Sequence, residues 1–97
     1  MSDIVVVHNP GQSAYEVRVD GELAGSTHYR RASDSAVVDF THTEIDSRFE
    51  GQGLGSRLVA GALDDLRWQG GRVIATCPFV AAYLKRHPEY ADLVLGS

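Results

Sequence analysis

Ninety-seven residues with 43% apolar and 23% charged side chains fit one folded domain over 1–97 and exclude a disordered chain. The formal charge of −4 excludes general nucleic-acid binding, which runs on clustered Lys and Arg. No apolar run approaches the roughly 18 residues of a membrane span, and Met1-Ser2-Asp3 lacks the basic start of a signal peptide, so a cytoplasmic location without a membrane partner is expected.

The first third reads as antiparallel strands. Tyr15, Val17 and Val19 alternate with Glu16, Arg18 and Asp20, and Asp20-Gly21 marks a hairpin turn. The return strand is Glu22 to Arg30, followed by a polar turn over residues 31–35. Residues 36–45 form the next strand, with Val37, Val38, Phe40 and Ile45 as its apolar members. A glycine-rich loop then leads into Leu54, Leu58, Val59, Ala62, Leu63 and Leu66, one stripe of an amphipathic helix that Gly70-Gly71 ends. A buried strand over residues 72–76 follows. Pro78 starts a second helix, which runs to about residue 87 and is closed by Pro88; Phe79, Val80, Tyr83 and Leu84 are its inward face. The predicted class is α/β (α+β): a mixed, mainly antiparallel sheet with two main helices, in the order β-β-β-α-β-α.

The loop Glu50-Gly51-Gln52-Gly53-Leu54-Gly55 joins a strand to the first turn of a helix. Glycine there permits positive φ and close approach of a ligand, while the helix start supplies unpaired N–H groups and a partial positive charge. That is an anion site. A phosphate-binding P-loop needs Gly-Lys-Ser/Thr, but Gly55 is followed by Ser56-Arg57. A dinucleotide fingerprint needs Gly-x-Gly-x-x-Gly after an early strand, which this loop is not.

Residues 42–90 resemble the core of the GNAT N-acetyltransferase superfamily, and its small single-domain YjdJ-type subgroup in particular. The superfamily loop Gln/Arg-x-x-Gly-x-Gly/Ala falls on Glu50, Gly53 and Gly55. Cys77-Pro78-Phe79-Val80-Ala81-Ala82-Tyr83 with His87-Pro88-Glu89-Tyr90 is similar to the subgroup's second signature. The resemblance implies a minimal acetyltransferase with acetyl-coenzyme A as co-substrate, no metal, and an amine acceptor. It places the cofactor on Ile45, Glu50, Gly51, Gln52, Gly53, Leu54, Gly55 and Ser56, chiefly through backbone amides. Two departures stand out. Glu50 replaces Gln or Arg, and the stretch ahead of the loop leaves no room for the two N-terminal helices that wall the acceptor site in larger relatives, so the acceptor stays open. A non-catalytic coenzyme A-binding module would use the same loop.

Acetyl transfer requires a neutral amine, a stabilised oxyanion and a protonated leaving thiolate. The resemblance puts Tyr83 where the family carries the tyrosine that protonates coenzyme A; its other reading is core packing. His42 and Glu44, two apart on a strand, are about 6.5–7 Å from each other and expected on the face of Val38 and Phe40. Either is a candidate base, or the pair is structural. His8, His28 and His87 are too scattered to complete a metal site with them. Cys77 cannot form an intramolecular disulfide, being alone, and precedes Pro78 at a helix N-cap, where the dipole lowers a thiol pKa. It is either a nucleophile beside the acetyl group or a small buried hydrophobe.

Overall fold

The computed structural model describes residues 3–31 and 34–95, so the middle of the turn expected over 31–35 lies outside the described residues. Strand β1 (Ile4–Asn9) comes first, ahead of those in the expected order. β2 (Ala14–Val19), β3 (Glu22–Arg30) and β4 (Val37–Ile45) follow, then helix α1 (Leu54–Trp68), β5 (Arg72–Ala75) and helix α2 (Pro78–Arg86). The five strands lie in the sheet order β1-β2-β3-β4-β5. Neighbours are antiparallel except β4 and β5, which run parallel across the α1 crossover. Asp20 and Gly21 both have positive φ, 50° and 84°, as the two-residue turn between β2 and β3 demands.

One face of the sheet carries the core. α1 buries Leu54, Leu58, Val59, Ala62, Leu63 and Leu66 against it. α2 adds Val80 and Tyr83, and the turn Pro88–Leu93 adds Tyr90 and Leu93. The other face is open: Val5, Val7 and Ile74 are each about 40% exposed there. No helix among the described residues is long and apolar enough to cross a membrane.

Two β-bulges interrupt the ladders. Between β3 and β4, His28 pairs with His42 while its neighbour Tyr29 pairs with Phe40, so Thr41 is an extra residue. An inserted residue shifts the side-chain alternation by one step. Phe40 and Val38 therefore point into the core, and so does Thr43, whereas His42 and Glu44 project from the open face. The expectation that His42 and Glu44 share a face with Val38 and Phe40 is corrected on this ground.

Across the core, the Tyr15 hydroxyl donates to Asp65 Oδ2 at 2.6 Å, tying β2 to α1. Burial and the Asp65 carboxylate both push this phenol above its ordinary value of 10.0. The folded pKa is raised, so the contribution is fully present below about pH 10 and is lost above it. Tyr15→Phe is expected to cost about 1.5–3 kcal/mol by urea unfolding, the scale of a hydrogen bond to a charged group. The difference from wild type should be flat between pH 6 and 9; a variant as stable as wild type would mean the bond contributes nothing net.

Candidate active site at the parting of two strands

The parallel pairing of β4 and β5 runs from Val37↔Arg72 to Phe40↔Ala75 and stops. The last backbone bond between them is the Cys77 N–H to the Phe40 carbonyl, 2.8 Å. Pro78, at the first position of α2, offers no N–H and starts the helix, so the chain leaves the sheet there. β4 continues to Ile45 beside β3 alone. Its other edge, over residues 41–45, has no strand partner among the described residues.

The glycine loop lies at the end of this opening. Gly51 and Gly53 have φ of 81° and 72°, and a Cβ at either would meet nothing within 4 Å. Gly53 is the N-cap of α1, no side chain caps that end, and the first turn holds no acid. The leading amides of α1 are thus left for an outside acceptor. A cleft of about 230 Å³ is lined by Ile45, Phe49, Glu50, Gly51, Gly53, Leu54, Gly55, Ser56 and Phe79. Seven of the eight residues expected to hold the cofactor line it; Gln52 stands exposed on the loop instead. Phe49 and Phe79 are additions, one at the strand exit and one on the first turn of α2.

Cys77 is 4% exposed and sits where the strands part. Its Sγ lies 3.4 Å from the Thr43 hydroxyl, which in turn lies 2.8 Å from the hydroxyl of fully buried Thr27. Burial raises this thiol, but the Thr43 hydroxyl and the Val80, Phe79 and Thr43 amides outweigh it, leaving the pKa below the ordinary 9.0. The amides at the start of α2 act at a distance, since the sulfur makes no close capping bond there.

Tyr83 is buried on the inward face of α2, its ring stacked 4.0 Å from that of His87 and 6.1 Å from Tyr90. Burial, then the Glu89 and Asp64 carboxylates, raise its hydroxyl above 10.0, so it stays protonated at neutral pH. No hydrogen bond or ring contact joins it to Cys77 or the glycine loop. His42 and Glu44 form an exposed pair, Nε2 to Oε2 3.5 Å, beside a second cleft of about 240 Å³ lined by Leu23, Ala24, Gly25, Ser26, Glu44, Ile45 and Asp46. Ile45 borders both clefts. At Gly25 the strands approach so closely that a Cβ would overlap the Glu44 carbonyl and the Ile45 side chain. The scatter assigned to His28 is corrected: register sets its ring 6.2 Å from that of His42. Among the described residues, no group of three His, Cys, Asp or Glu side chains is placed to hold a metal.

A helix start with no side-chain cap thus lies at the foot of two strands that part after Phe40 and Ala75. The family model described as GCN5-related N-acetyl-transferase matches residues 14–93. The chain belongs to this family, the GNAT superfamily. "Protein NATD1" of Xenopus tropicalis is 26% identical over 87 residues, covering 90% of this chain and 80% of that protein. The human protein of the same name is 26% identical over 85 residues, covering 88% and 75%. Among solved structures, a GCN5-like protein of Staphylococcus aureus aligns at a TM-score of 0.71 and 22% identity, covering 100% of this chain and 93% of that one. N-acetylglutamate synthase of Neisseria gonorrhoeae, solved with coenzyme A and N-acetyl-glutamate, aligns at 0.59 and 16% identity, covering 86% of this chain and 22% of that one. These likenesses bear out the mixed fold with two main helices.

Proposed function

We propose that this chain, working as one domain, is an acetyl-coenzyme A-dependent N-acetyltransferase. The observation that carries the reading is the uncapped start of α1, with Gly51 and Gly53 leaving open space at the backbone, next to the unpaired edge of β4. The loop amides would hold the pyrophosphate. The pantetheine arm, which carries amides of its own, would run along residues 41–45 as a strand would, and the thioester would reach Cys77. His42 or Glu44 would take the proton of an amine arriving from the open face, the cleft beside Glu44 being its natural approach. Tyr83, protonated at neutral pH, would return a proton to the leaving thiolate. The acetyl group would pass to the amine directly or by way of Cys77; the lowered thiol pKa at the strand opening supports the second route. The bare sheet face supports a rival, a coenzyme A-binding module that transfers nothing.

Acetyl-coenzyme A alone is expected to add one acetyl group to the intact protein, on Cys77, removable by hydroxylamine and blocked by Cys77→Ser. An amine panel should accelerate release of free coenzyme A thiol. A melting-temperature rise with no thiol release for any amine would leave the binding module, and no rise at all would remove both readings.

A further inference from the structure

Thr27 is the one fully buried polar side chain in the core of the described residues. A buried hydroxyl is costly unless it is hydrogen-bonded, and its recorded side-chain partner is Thr43 Oγ1, 2.8 Å away. Thr43 is also the hydroxyl 3.4 Å from the Cys77 sulfur. The three groups come from β3, β4 and the turn into α2, and they meet where β4 loses its parallel neighbour. We propose that Thr43, held by Thr27, is the positioning residue for Cys77, fixing the sulfur at the strand opening and turning its own O–H toward it when the thiol ionises. This rests on the acetyltransferase reading, in which the thioester arrives beside that sulfur.

Either hydroxyl could donate in the Thr27–Thr43 bond; in the proposed arrangement Thr27 does, so with a neutral thiol Thr43 Oγ1 accepts from both Cys77 S–H and Thr27 O–H. When the thiol gives its proton to solvent, Thr43 still accepts from Thr27 and donates its own proton to the thiolate. A hydrogen bond to an ionised acceptor is roughly twice as strong as a neutral one, so the arrangement favours the anion. The other groups acting on the sulfur are the Thr43 amide from β4 and the Phe79 and Val80 amides from α2, none of them charged.

The test needs no substrate. The chain has a single cysteine, so ultraviolet thiolate absorbance against pH, with Cys77→Ser subtracted, titrates that sulfur alone. Thr43→Val, close in shape but without the hydroxyl, is expected to raise the midpoint by about one to two pH units. Thr43→Ser, which keeps the hydroxyl, should titrate with wild type. Thr27→Val should shift the midpoint in the same direction by less, because Thr43 then loses only its anchor. A Thr43→Val midpoint equal to wild type would overturn the proposal. So would a Thr43→Ser midpoint displaced as far as that of Thr43→Val, since the methyl and not the hydroxyl would then matter. If Thr43→Val does not fold, Thr27→Val against Thr43→Ser makes the same comparison: coincidence of both with wild type overturns it. Acetyl-coenzyme A is added to wild type separately, and absence of a melting-temperature rise there sinks the acetyltransferase reading whatever the titration shows.

Discussion

Gly53→Asp is expected to fold and to lose the rise in melting temperature that acetyl-coenzyme A should give the wild type. A ligand at 100 times its dissociation constant contributes about 2.7 kcal/mol. For a chain of this size 1 kcal/mol moves the midpoint by about 4–8 °C, so the wild-type rise should be about 10–20 °C. The substitution puts a carboxylate in the open space at the start of α1, where the pyrophosphate charge would lie. The apoprotein should tolerate it. An acid near a helix N-terminus is favourable, and Asp enters the left-handed region more readily than most residues, which offsets part of the strain at φ 72°. Gly53→Asn separates shape from charge: it adds the same bulk with no carboxylate and should keep part of the rise. A folded Gly53→Asp protein with the full wild-type rise would detach the glycine loop from ligand binding.

Tyr83→Phe is expected to lower amine acetylation by about 10²-fold while leaving the ligand-induced melting shift unchanged. The ring stacks on His87 at 4.0 Å and packs near Tyr90, contacts that phenylalanine preserves. Only the hydroxyl is lost, and with it the proposed proton donor. Burial and the neighbouring carboxylates hold that hydroxyl above 10.0, and an acid works only while protonated. Any alkaline limb due to Tyr83 should therefore fall above pH 10, and activity below that should not titrate with it. Unchanged turnover in the variant would return Tyr83 to core packing alone.

What the sequence made legible follows from local chemistry. Asp20-Gly21 announced the hairpin, the Leu54-to-Leu66 stripe announced α1, and Gly51 and Gly53 marked the left-handed loop ahead of it, because backbone requirements leave direct traces in residue type; Gly55 answers to a close approach of the Phe79 ring instead. β1 left no such trace: Val5, Val6 and Val7 are apolar on both faces, so the two-residue period that marks a half-buried strand is missing. The Thr27–Thr43–Cys77 chain was equally hidden. Its members are joined only by strand register and a crossover, and threonine on a strand carries no signal of its own. His28 beside His42 is a second case, two residues that become neighbours only once β3 and β4 are aligned. The resemblance of the second signature pointed to Cys77, but not to the hydroxyl beside it.

The extra residue in β4 bears on how this strand could be shortened. Counted without Thr41, the strand alternates regularly: Val38 in, Asp39 out, Phe40 in, His42 out, Thr43 in, Glu44 out. Removing Thr41 would therefore leave each of these side chains on the side it already occupies. What would go is the local kink and added twist that a bulge gives its strand, at the very step where β4 and β5 part company. Thr41 is in that sense a spacer acting on direction alone. A one-codon deletion there would keep every side chain facing as it does while straightening the strand that carries it.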